Sequence, residues 1–148
     1  MGEKVSVVTI LHGEREFVPL IKYNFTNFID SSDLELVVVD DGKENLSSLF
    51  GDIDNCIYLH LSADEISTFM DKIEEGYKQP NKSELLYYKK IKTLPNGFKR
   101  DYAVGMSSHD YIFHMNMDCI YSKKSISRKS EYSKRVGGEC VYCDTTLC

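Results

Sequence analysis

Three apolar runs constrain this chain more than anything else in it. Val5–Leu11 (VSVVTIL), Leu34–Val39 (LELVVV) and Cys56–Leu61 (CIYLHL) are rich in β-branched residues and scarcely alternate between apolar and polar. A strand with one wet face alternates, whereas a strand covered on both faces reads as a nearly continuous apolar run. Between the first two runs the period changes. Phe17, Leu20, Ile21, Asn24, Phe25 and Phe28 recur at helical spacing over about Glu16–Ile29, with Pro19 early, where a helix tolerates it. Asp30-Ser-Ser-Asp33 reads as a turn, and Leu46–Phe50 as a short helix before the third run. Buried strands alternating with helices predict an α/β fold with a mostly parallel sheet.

The remainder of the chain is mainly helical. Ser62 and Glu65 have the spacing of a capping box, followed by the stripe Ile66, Phe69, Met70, Ile73 and Tyr77. Gly76 and Gln79-Pro80-Asn81 end that helix. A second helix is predicted over Glu84–Leu94, a turn at Pro95-Asn96-Gly97 and a third helix over Phe98–Ser107. Asp110–Cys119 contains a strand, with its apolar stretch at Tyr111–Asn116. A polar, basic helix over Ser122–Val136 and a last strand at Cys140–Cys143 complete the order. The 148 residues suit a single domain spanning 1–148.

The net charge of −5 argues against a general nucleic-acid binder. Lysines and arginines do cluster over 82–100 and again over Lys123–Arg135, as solvated helix faces or as anion-binding surfaces. No apolar run approaches the roughly 20 residues of a membrane span. Glu3 and Lys4 lead directly into a strand, unlike a signal peptide, so five cysteines are expected to be reduced thiols in a cytoplasmic protein. Cys140-x-x-Cys143 with Cys148 lacks a convincing fourth zinc ligand and reads as part of a strand.

Three polar groups fall at strand C-terminal ends: the loop after Leu11, Asp40-Asp41-Gly42, and Asn116-x-Asp118. Ligands of open parallel sheets bind at that edge. Adjacent carboxylates at the end of a buried strand repel each other and are seldom there for stability. One can accept a hydrogen bond from a base or ribose; a capped turn is the alternative. Asn116 and Asp118 would leave their strand on one side, since side chains two apart in an extended chain point the same way. Asp118 suits a hard cation that bridges nucleotide phosphates, and Asn116 a sugar hydroxyl. Asp118 could instead be a plain turn residue or the cap of the next helix. Arg100, one helix earlier, could contact a diphosphate or simply face solvent.

Taken together, these blocks resemble the nucleotide-binding half of the family 2 glycosyltransferases, inverting enzymes of the GT-A type. Val5–Gly13 stands where that family has VSVIIPTYN. Val38-Val39-Asp40-Asp41-Gly42 matches its VVDDG. Arg100-Asp101, followed by Asp110-Tyr-Ile-Phe-His-Met-Asn-Met-Asp118-Cys119, stands where the family has Arg-Asn and then a YI-x-F-L-D-x-D-D block. Asn116 and Cys119 replace two carboxylates of that block, Ile10–Gly13 departs from the Pro-Thr-Tyr-Asn loop, and by this resemblance residues 62–95 are a helical insertion longer than the family's usual link before the Arg-Asn helix.

The resemblance implies a domain that binds a nucleotide-diphosphate sugar with Mg²⁺ or Mn²⁺ and transfers the sugar to an acceptor hydroxyl with inversion. Thr9, Asp40, Asp41, Arg100 and Asn116 would contact the substrate and Asp118 the metal. It places the catalytic base beyond Cys148, in an acceptor-binding part that this chain stops short of. The implied partners are the nucleotide sugar and an acceptor. The rival reading is a non-catalytic nucleotide-sugar-binding module with a degenerate metal motif. A phosphoacceptor domain fits less well, because the acidic pair follows the second strand and the third ends in Leu61-Ser62-Ala63.

Overall fold

The computed structural model describes residues 4–29, 33–76, 82–138 and 140–141. Four parallel strands, β1 (Val5–Leu11), β2 (Leu34–Asp40), β3 (Cys56–His60) and β4 (Tyr111–His114), form one sheet in the order β3-β2-β1-β4. The predicted parallel α/β architecture is the one observed. Every residue of β2 is buried, which explains its unbroken apolar run. Glu35 is the exception in type but not in burial. Its carboxylate accepts hydrogen bonds from the Ser6 hydroxyl (2.6 Å), the Ser108 N–H (2.9 Å) and the Ser108 hydroxyl (2.7 Å).

Alternate strand positions feed two apolar layers. Val5, Val7, Leu11, Leu36, Val38 and Phe113 pack against α1 (Val18–Asn27) and Ile126 of α5 (Ser125–Val136). Val8, Val37 and Val39 pack on the other side against α2 (Ala63–Gly76), α3 (Lys82–Ile91) and α4 (Asn96–Gly105). Phe69 of α2 meets Phe98 and Tyr102 of α4 with ring centroids 5.3 and 5.5 Å apart, so the predicted insertion is seated on the core by aromatic contacts. The Ser62–Glu65 capping box forms in both directions, each bond at 3.2 Å.

Several boundaries differ from expectation. The first helix opens with a 3-10 turn at Arg15–Phe17, and the short element before β3 is a 3-10 helix at Ser47–Phe50. α3 stops at Ile91 because Lys92 adopts a left-handed conformation (φ 54°). Asn96 and Gly97, predicted as a turn, form the first turn of α4 behind Pro95, where backbone N–H groups need no helical partner.

The Asp110–Cys119 strand is cut to Tyr111–His114. Met115 makes one last bond to Val8 (2.8 Å), and the chain then leaves the sheet although β1 continues to Leu11. Cys140 and Val141 are not in a strand; the rest of the predicted Cys140–Cys143 strand, Tyr77 and Gln79–Asn81 lie outside the described residues. Cys56 and Cys140 are free, but Cys119 is disulfide-bonded, which corrects the expectation of uniformly reduced thiols. No helix among the described residues is long and apolar enough to cross a membrane.

Leu36 has no exposed surface and lies at the centre of β2. Leu36→Ala is expected to destabilise the fold by about 2–5 kcal/mol, measured by denaturant unfolding.

Candidate functional site

Because all strands run parallel, Leu11, Asp40, His60 and the residues after His114 meet at one edge. The connection from β1 leads to β2 on one side, whereas β4 lies on the other, so the winding reverses between β1 and β4. A crevice at that switch point is where open α/β sheets take ligands. A cavity of about 330 Å³ occupies it. His12 and Glu14 from the β1 loop form one wall, and Asn96, Lys99 and Arg100 of α4 form another. Asn116, Met117 and Asp118, after β4, form the third.

Asp41 holds two of these walls together. Its carboxylate is completely buried and accepts hydrogen bonds from His12 Nδ1 (2.8 Å), the Thr93 hydroxyl (2.8 Å), the Leu94 N–H (2.7 Å) and Lys99 Nζ (3.2 Å). Burial alone would raise its pKa. The Lys99 ammonium and the three hydrogen bonds outweigh that and hold the carboxyl below the usual range. Since an ionised carboxylate only accepts, the proton on the His12–Asp41 bond sits on Nδ1, which leaves Nε2 as the other ring position.

Asp40, equally buried, points to the α1 side of the sheet. Its Oδ1 accepts from the Gly13 and Gly42 N–H groups, both at 2.9 Å, and its Oδ2 from the Tyr58 hydroxyl at 2.5 Å. The two glycines are in direct backbone contact. A Cβ on Gly42 would lie 2.5 Å from Gly13 Cα, so the loops after β1 and β2 interlock only with glycine there.

The loop carrying Asn116 and Asp118 is held from beneath by Asn24 of α1, which is 1% exposed. Asn24 donates to the Cys119 carbonyl (2.8 Å) and accepts from the Tyr121 N–H (3.1 Å). The Asn116 N–H in turn donates to the Tyr121 hydroxyl (2.9 Å). Asn116 and Asp118 are themselves exposed. Asp118 and Arg100 act from opposite directions on Tyr121: burial is the main cause of its raised pKa, Asp118 adds to it and Arg100 offsets it. Burial and the Arg100 guanidinium lower His114, against a smaller opposing effect of Asp101.

Of the predicted site residues, Arg100, Asn116 and Asp118 line one cavity. Thr9, Asp40 and Asp41 do not line it. Thr9 is turned into the core on the α1 side, where its hydroxyl is buried without a hydrogen-bond partner. The acidic pair is buried in the loops that build the walls. His12, Thr93, Lys99 and Asn24 are not among the predicted site residues. A polar residue on the apolar stripe of the first helix was the available signal for Asn24. Thr93 and Lys99 carry none, because they meet Asp41 only across more than 50 residues of chain. Among the described residues, no group of three or more His, Cys, Asp or Glu side chains is placed to hold a metal.

Solved structures share this fold. The S. aureus TarS 1–349 fragment in complex with UDP superposes with a TM-score of 0.61 at 12% identity, covering 89% of this chain and 32% of its own. A second structure of S. aureus TarS 1–349 gives 0.61 and 12%, covering 95% and 38%. The chain thus spans about a third of the length of these structures, and what it shares with them is the α/β fold. No protein-family model and no curated protein matches the sequence.

Two outcomes are expected from this geometry. Asn24→Leu, which keeps the branched outline but cannot pair with the Cys119 carbonyl or the Tyr121 N–H, should lower stability by about 1–3 kcal/mol in denaturant unfolding. The lowered pKa of Asp41 stabilises the fold fully above the ordinary carboxylate range, and that contribution fades as pH falls below about 4. Acid titrations followed by circular dichroism should therefore show a shallower loss of stability for Asp41→Asn than for the parent.

Proposed function

We propose that this chain is the nucleotide-binding part of a glycosyltransferase, taking a nucleotide-diphosphate sugar and transferring the sugar to an acceptor hydroxyl with inversion. The observation that carries the reading is the meeting of Arg100, Asn116 and Asp118 in one cavity at the β1–β4 switch point. The fold shared with UDP-bound TarS supports it.

The charges that line the cavity balance. Lys99 and Arg100 face Glu14 and Asp118, and Asp41 lies behind Lys99. A diphosphate entering such a site lacks a surplus of protein cations, so a divalent ion fits the chemistry. Asp118 is exposed in the cavity and would hold Mg²⁺ or Mn²⁺ jointly with phosphate oxygens, an arrangement that needs only one or two carboxylates. The ion would neutralise charge on the leaving diphosphate. Arg100 would fork onto the diphosphate from α4, and the Asn116 amide would bind a ribose or sugar hydroxyl. Asp40 and Asp41 would act one step back, by fixing Gly13, His12 and Lys99. Thr9 would serve the packing beneath β1.

A second reading, a binding module without turnover, draws on Asn116 standing where a carboxylate would strengthen the metal site. Asp118→Ala separates the two. For the transferase, Mn²⁺-dependent binding of a uridine-diphosphate sugar, measured by calorimetry, should fall at least tenfold, and the slow hydrolysis of the sugar nucleotide by the parent should disappear. Binding indifferent to Mn²⁺ and to Asp118, with no hydrolysis, identifies the module. Absence of any nucleotide binding by the parent rejects both.

A further inference from the structure

We infer that the outer face of α5 docks on a lipid surface carrying anionic headgroups. The charge of this chain is strongly segregated. Six of its 18 lysines and arginines lie between Lys123 and Arg135, accompanied only by Glu131, although the whole chain carries −5. At helical spacing, Lys124, Arg128, Tyr132, Arg135 and Val136 share one side of α5. Ile126 lies on the opposite side and is buried against the sheet. The shared side therefore faces outward: Tyr132 is 53% and Val136 55% exposed, and Lys124, Arg128 and Arg135 are all exposed. None of those three cations forms an ion pair with the described residues.

The form of this face selects its partner. It lines neither of the two described cavities. Two apolar tips stand among cations, which is the make-up of a helix lying in a bilayer interface: cations meet the headgroups and the tips reach the acyl boundary. A nucleic acid would use the cations and gain little from Val136. Charges of the acidic surfaces that lie beyond a Debye length of the bilayer are screened, so a net charge of −5 does not oppose contact through α5. The inference is independent of the cavity and of the activity proposed for it.

Flotation of the full chain with vesicles tests it. Binding should occur on phosphatidylcholine vesicles with roughly 30% phosphatidylglycerol, not on pure phosphatidylcholine, and should fall in about 0.5 M salt. Arg128→Glu with Arg135→Glu should weaken binding at least tenfold. Tyr132→Ser with Val136→Ser should weaken it severalfold at low salt. All these positions are exposed, so thermal unfolding should be unchanged. If one pair does perturb folding, Lys124→Glu supplies the same charge test outside the helix. Equal binding to both vesicle types, or none, overturns the inference. It is also overturned if heparin binds as well as the anionic vesicles and the Tyr132/Val136 pair is without effect, because the face is then a general polyanion site.

Discussion

The buried carboxylate of Asp41 is the interaction on which the functional end of this molecule depends. An ionised group without solvent is tolerated only when donors surround it. Here His12, Thr93, Leu94 and Lys99 supply them, and they come from the β1 loop, the segment after α3, and α4. Each donor is anchored in its own element, so satisfying one carboxylate fixes the separation of two cavity walls. The Lys99 ammonium is equally dependent, since it is 2% exposed and would be an uncompensated charge without Asp41.

Two further devices complete the rim. Asp40 draws the Gly13 and Gly42 amides onto one oxygen, and the contact of those glycines locks the β1 and β2 loops at a distance no side chain would allow. Asn24 does the corresponding work beneath β4, where the chain has left the sheet and lost its ladder partners. Half-buried Arg100 and exposed Asn116 and Asp118 are thus carried on segments whose backbones are held by buried polar bonds. A binding site gains from such support because little ordering remains for the ligand to impose.

The molecule also separates its two kinds of charged surface. The cavity balances cations against carboxylates, whereas α5 concentrates cations on one exposed side. In the cavity, the balance leaves no surplus of protein cations. On α5, a surplus of exposed cations stands against an overall charge of −5.

The sheet was legible in the sequence because continuous burial leaves a direct mark: Val5–Leu11 and Leu34–Val39 had to be apolar on both faces, whereas the third run, Cys56–His60, is an edge strand and only half-buried. The capping box at Ser62 and Glu65 was legible for a similar reason, since both partners are local. The parallel order also placed Asp40, Asp41 and Asn116-x-Asp118 at a common edge. Which of them faces a ligand was not legible. Direction depends on the parity of the strand and on what packs above it: Asp40 turns toward Tyr58, Thr9 into the α1 layer, and Asp41 toward Lys99. The sequence by itself determined the layers and the edge, through periodicity and burial. Only the tertiary structure decided that Asp40 and Asp41 build the walls while Arg100, Asn116 and Asp118 line the space, because that division rests on hydrogen bonds between residues far apart in the chain.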